Sequence, residues 1–170
     1  MKKFKGFTLV ELIVVIAIIG VLAAILVPAM MGWVFKSRIT TYNNNASEVC
    51  TQLQVVLTDL ETVGSLGELK NCDIYCDDGD FPDITDADIL NTLKELNASL
   101  TDMTGVQWAA KIKDGEVMGV ALTGNNCGSV GGFPNQCPSD GRYRMGSGDN
   151  IKDYLPCAIG TTDWSTMAAP

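Results

Sequence analysis

The sequence predicts an α+β fold: one long N-terminal helix, its first half a protruding apolar rod, its second half packed on a small antiparallel sheet. Three observations lead there. An uncharged apolar run extends from Leu12 to Phe35, behind the short basic head Met1-Lys-Lys-Phe-Lys-Gly6. A helical apolar stripe follows it, and further along two alternating segments flank an Asp114-Gly115 turn.

The apolar run is long enough to cross a bilayer as a helix. Lys2, Lys3 and Lys5 set its orientation, with Met1 to Gly6 cytoplasmic and everything after Phe35 outside. One acid, Glu11, stands near the start of the run, where a lone carboxylate is costly without a partner. A secretory signal peptide cut near Val27-Pro28-Ala29 fits poorly, because the run outlasts a normal h-region and contains an acid. A plain single-pass anchor suits the length and leaves Glu11 without a use. Pro28 removes a backbone donor and clashes with the turn before it, so a kink or loosened turn is expected there, with Gly32 extending the weak spot.

The stretch Gly6-Phe7-Thr8-Leu9-Val10-Glu11-Leu12-Ile13-Val14-Val15-Ile16-Ala17-Ile18-Ile19-Gly20-Val21-Leu22-Ala23-Ala24-Ile25 resembles the class III leader and helix start of type IV pilins and pseudopilins. The resemblance implies residues 1–6 as a prepilin leader, 7–35 as a transmembrane and filament-core helix, and 36–170 as an extracellular pilin-like head that includes the second half of the long helix. It implies cleavage by prepilin peptidase between Gly6 and Phe7, methylation of Phe7, and pairing of Glu11 with the amine of a neighbouring subunit. The spacing also has a physical reason. A new amine on Phe7 stands one helical turn from Glu11, and in low dielectric a charge pair is favourable relative to leaving either charge alone.

Beyond the run, Tyr42, Ala46, Val49, Leu53, Val56, Leu57, Leu60 and Val63 recur at three- and four-residue steps, with Asn43 among the polar residues expected largely on the other side. Asn43 to Asn45 are weak helix formers and predict fraying or a bend. Gly64 to Gly67 ends the helix, for a total from Phe7 to Val63 of roughly 85 Å at 1.5 Å per residue. Leu69 to Asp88 reads as an irregular acidic crossover. Thr85 is the expected cap of a short helix whose apolar side is Ile89, Leu93, Leu96 and Leu100. Val106 to Ile112 and Val117 to Leu122 form the hairpin around Asp114-Gly115, packing on the helix stripe as a second layer. Arg142 to Met145 is a candidate third strand, and Gly124 to Gly148 otherwise reads as surface loop.

The formal charge of −8 becomes three units more negative when Lys2, Lys3 and Lys5 leave with the leader. Such a surface offers little to nucleic acid, and Arg142, Arg144 and Lys152 are its one basic cluster. Cys50, Cys72, Cys76, Cys127, Cys137 and Cys157 all lie on the side expected outside the cytoplasm, where disulfides persist. Sequence does not choose among the fifteen pairings six cysteines allow. Proximity favours Cys127 with Cys137; Cys157 is placed to tie down the tail, and Cys50 to hold the crossover through Cys72 or Cys76. Asp77, Asp78, Asp80 and Asp83 are the candidates for a calcium site, against the competing reading of a solvated acidic loop. No zinc pattern and no other cofactor are expected.

The chain has no histidine and no Walker-type loop, so no catalysis is expected of it. The resemblance instead implies a passive structural subunit of a type IV pilus, serving adhesion, twitching motility or surface attachment. Its implied partners are identical or homologous subunits, prepilin peptidase, an inner-membrane platform protein and an assembly ATPase. Its implied location is a single-pass membrane precursor and then an extracellular filament on the cell surface. A secretion-system pseudopilin or a DNA-uptake pilus subunit shares this N-terminus. An alternative of another class is a membrane-tethered binding module that uses the Gly124 to Gly148 loop or an exposed Trp164 on a flexible tail, with Trp108 in the core and Trp33 at the membrane interface.

Overall fold

The computed structural model describes residues 7–100, 105–124, 128–139, 143, 145–146 and 148–167. Two compact units divide the chain, residues 1–35 and 36–170. Helix α1, Leu9–Thr62, contributes to both, and Pro28 lies inside its unbroken helical run. The Asn43 to Asn45 stretch is also helical, so the expected fraying is not present. In the second unit the expected stripe is found, with Ala46, Val49, Leu53 and Leu57 fully buried and Tyr42, Val56 and Leu60 packed at its margin. Val63 falls outside it and is exposed, because the helix has ended one residue earlier.

The sheet has four antiparallel strands in chain order: β1 Asn71–Asp77, β2 Val106–Lys113, β3 Glu116–Gly124 and β4 Val130–Phe133. The hairpin of β2 and β3 turns at Asp114 and Gly115, both at positive φ as a two-residue turn of matching twist requires. Gln54 on α1 pins the start of β3, accepting from Val117 N at 2.8 Å and donating to Gly115 O at 3.4 Å. Helix α2, Ala87–Ser99, lays Ile89, Leu93 and Leu96 into the same core, where Trp108 is fully buried and meets Phe81 edge-on at 5.6 Å.

Three expectations are corrected here. The acidic crossover contains β1, because Ile74 and Cys76 turn into the core while Asn71, Asp73 and Asp77 stay exposed, an alternation hidden by acidic composition. The cap of α2 is Asp86, whose Oδ1 accepts from Asp88 N at 2.9 Å and Ile89 N at 3.2 Å. Thr85 instead donates its amide and hydroxyl to Glu68, at 2.9 and 3.0 Å. The fourth strand is Val130–Phe133, inside the expected loop; Tyr143 and Met145 are not in a strand, and Arg142 and Arg144 lie outside the described residues.

A third layer replaces the expected two. Ala109 and Ala121 point away from α1 and are fully buried under the 150–167 segment, which carries a 3-10 turn at Ile151–Tyr154, the short α3 at Leu155–Ala158 and a second 3-10 turn at Trp164–Met167. Trp164 is 3% exposed and donates its indole N–H to Asn135 O at 3.2 Å, so it is a core residue and not a ligand-seeking tail residue. Consecutive glycines of β4 serve the two sides. A Cβ on Gly131 would collide with the α1 backbone at Tyr42 and Asn43, and one on Gly132 would stand 2.6 Å from Trp164 Cζ2. Neither layer could approach β4 closely over a larger residue.

Asn43, expected on the polar side, points inward and is 5% exposed. Its Oδ1 accepts from Gly132 N at 2.9 Å and Cys137 N at 3.0 Å, while its Nδ2 donates to Cys137 O at 2.9 Å. One side chain thus satisfies three backbone groups that the close approach of β4 removes from water.

Candidate assembly site

The N-terminal unit is built around an acid at the mouth of an apolar helix. Thr8 precedes the first turn of α1; its amide donates to Glu11 Oε2 at 2.8 Å and its hydroxyl to the same oxygen at 2.7 Å. Glu11 N donates back to Thr8 Oγ1 at 3.3 Å. The pair is a capping box, satisfying amide groups that a helix start leaves open. Thr8-x-x-Glu11 before an apolar run is the sequence signal for such a box, and the box gives Glu11 a local role in addition to any partner outside the chain. Among the described residues Oε1 of Glu11 has no partner.

From Phe7, 90% exposed, to Trp33, 78% exposed, every side chain is open, and α1 is long and apolar enough to cross a membrane by length and composition. So large an exposed apolar surface is unfavourable in water by ~25 cal/mol per Å², which requires lipid or other protein around it. Gly6 lies outside the described residues, next to Phe7. Pro28 and Gly32 sit within the same exposed helix, and nothing approaches a Cβ built on Gly32.

The cysteine expectations fare differently. Among the described residues Cys50, Cys72, Cys76 and Cys157 form no disulfide, and the expected links of Cys50 to Cys72 or Cys76 are not seen there. Cys76 points to Asn97 Oδ1 at 3.6 Å and Cys157 to Asp163 O at 3.7 Å. Burial, then the nearby Asp73, Glu68 and Asp83 carboxylates, pushes the Cys72 thiol up to about 11. Burial likewise pushes Cys76 up to about 12, opposed by the Gly79 amide and reinforced by Asp77, Asp78 and Asp80. Both are therefore poor thiolate sources. The 150–167 segment is held instead by Asn135, whose amide donates to Ala158 O and whose side chain donates to Cys157 O, both at 2.8 Å. Cys127 lies outside the described residues, and with it the pairing to Cys137.

Three of the four candidate calcium carboxylates are engaged separately, and Asp80 is held through its backbone. Asp77 Oδ1 accepts from Gln107 Nε2 at 2.9 Å, Asp78 Oδ1 from Gly105 N at 2.7 Å, and Asp83 pairs with Lys152, which also lies over the Tyr75 ring. Asp80 closes a tight backbone bridge with Asp77. Among the described residues no three acidic, cysteine or histidine groups converge on a point where an ion could sit.

Comparison with known proteins bears on this site directly. The family model for the prokaryotic N-terminal methylation motif matches residues 1–27. A fimbrial protein of Pseudomonas aeruginosa is 31% identical over 130 residues, which is 76% of this chain and 75% of that protein. This chain belongs to the type IV pilin family. Fimbrial protein Q of Moraxella bovis is 58% identical over 71 residues, 42% of the chain and 45% of that protein. The type IV major alpha-pilin of Moraxella bovis is 42% identical over 62 residues, 36% and 39% of the two. No solved structure matches significantly. This pilin's relatives are structural subunits, its exposed α1 suits membrane anchoring followed by a surface filament, and subunits of its own family are its partners.

Proposed function

We propose that this pilin is a shaft-forming structural subunit of a type IV pilus, cut between Gly6 and Phe7 by prepilin peptidase and methylated on Phe7. Assembled, its 7–35 helices bundle as the filament core and residues 36–170 form the outer head. The observation that carries this reading is Glu11: an acid with one carboxylate oxygen open, on a helix whose surroundings are otherwise exposed hydrocarbon. The new amine of a neighbouring Phe7 supplies the missing cation, so a membrane precursor with two unpaired charges becomes a filament with none. A platform protein and a cytoplasmic assembly ATPase drive extraction, since the chain has no nucleotide-binding loop. Adhesion, twitching motility or surface attachment is the role of the finished fibre.

Mass spectrometry of surface filaments is expected to show an N-terminal methylated phenylalanine at position 7. Glu11→Ala is expected to leave a processed, membrane-inserted pool and to deplete filaments at least tenfold. An intact Met1 start, a cut near Ala29, or normal filament yield from Glu11→Ala would each overturn the reading.

A further inference from the structure

The first charges beyond the apolar run are both basic. Lys36 and Arg38 follow Phe35 on α1, and no acid comes before Glu48. Both side chains are exposed, and neither has an ion-pair partner among the described residues. They run against the charge of the rest of their unit. With Lys2, Lys3, Lys5 and Glu11 set aside, the 12 bases and 20 acids of the chain leave nine against nineteen for residues 36–170. A head of that charge is repelled by an anionic surface, whereas its opening Lys36-Ser37-Arg38 is drawn to one.

Position and direction narrow the partner. The uncharged run Leu12 to Phe35 is about 36 Å long at 1.5 Å per residue, and the hydrocarbon core of a bilayer is about 30 Å thick. A run of that length, once it spans, ends at the level of the lipid phosphates. There Lys and Arg lay their stems along hydrocarbon and hold their charges among headgroups. At about 100° per residue the two bases stand roughly 160° apart, on opposite flanks of the buried Ile39. A single protein surface docked on α1 meets one flank. A headgroup layer surrounds the helix and meets both.

We propose that Lys36 and Arg38 form a binding site for anionic membrane lipid, each base holding the phosphate of a phosphatidylglycerol-type headgroup where the apolar run ends. The complementarity is local: two bases with no acid nearby in the sequence, on a chain that is otherwise acidic. The inference rests on membrane anchoring through residues 12–35 and is independent of cleavage and assembly.

The test uses the full chain in phosphatidylcholine vesicles carrying a trace of lipid spin-labelled near the end of one acyl chain, either phosphatidylglycerol or phosphatidylcholine. The motionally restricted fraction of each label gives the lipid preference. The wild-type chain is expected to prefer the anionic label several-fold at low salt and less at about 1 M salt, where exposed charges are screened. Lys36→Gln combined with Arg38→Gln is expected to lower the preference at least twofold and each single substitution by an intermediate amount, whereas Lys36→Arg combined with Arg38→Lys keeps it. The leader lysines are common to every variant, so the difference reads Lys36 and Arg38 alone. An unchanged preference in the double Gln variant would overturn the site and leave the two bases to a protein partner, and loss of preference in the charge-conserving pair would overturn it equally. Neither result touches the filament reading, which stands or falls on Glu11→Ala and the N-terminal residue.

Discussion

The two halves of α1 have the same backbone and opposite relations to the rest of the chain. From Phe7 to Val34 every side chain is exposed, whereas from Ile39 to Leu57 one face is fully buried under the sheet and α2. The first half gains its stability from what surrounds it outside the chain; the second gains it from within. A substitution in one half should therefore be read by assembly and in the other by unfolding.

The largest expected separation comes from pairing Trp108→Ala with Ile16→Ala. Trp108 is fully buried, edge-on to Phe81, and donates its indole N–H to Asn97 Oδ1 at 3.2 Å. Its truncation should cost about 3–5 kcal/mol, a large part of the stability of a single domain. Ile16 belongs to the N-terminal unit and is exposed. Ile16→Ala should leave the thermal unfolding of the detergent-solubilised chain unchanged and lower filament yield. A shift in the unfolding midpoint of Ile16→Ala comparable to that of Trp108→Ala would end the comparison.

Asn43 sharpens it, since its cost is internal to the head although its residue type suggests a surface. Asn43→Ala strands Gly132 N–H and the amide and carbonyl of Cys137 in a buried place, for a loss of about 3 kcal/mol on unfolding. Asn44→Ala, one position on and exposed, should change the midpoint little. The pair is measured by thermal or denaturant unfolding, and equal midpoints would show that the three hydrogen bonds contribute nothing net.

Asn43 also marks where the sequence stopped being legible. The rod, the stripe and the β2–β3 hairpin were readable because period and turn chemistry are local properties: Leu53 and Leu57 recur by helical geometry, and Asp114-Gly115 is a turn whatever surrounds it. Strand β1 was readable in principle from the inward Ile74 and Cys76 between exposed neighbours, but seven acids over Asp73 to Asp88 outweighed a short alternation. Strand β4 was not readable. Val130-Gly131-Gly132-Phe133 looks like loop because its glycines answer to α1 and Trp164, which are far away in sequence. The candidate site divides the same way. Glu11 stood out against its apolar surroundings, while the separate engagement of Asp77, Asp78 and Asp83 by Gln107, Gly105 and Lys152 depends on residues far away in sequence, a tertiary fact.

The smallest expected effect concerns the start of α2, where two adjacent residues compete for one role. Asp86 caps the helix through two amides, while Thr85 and the Asp86 amide are held by Glu68, whose carboxyl those amides keep below the usual range. Asp86→Ala should lose about 1 kcal/mol, the usual cost of removing an N-cap. Thr85→Ala removes one exposed hydroxyl contact while its amide still donates to Glu68, so its loss should be smaller. The order follows from geometry: a cap satisfies donors that the helix end leaves with no intrahelical partner, whereas the Thr85 hydroxyl exchanges one accessible acceptor for water. Denaturant midpoints for the two variants decide it, and a larger loss for Thr85→Ala would return the cap to the position the sequence pattern had suggested.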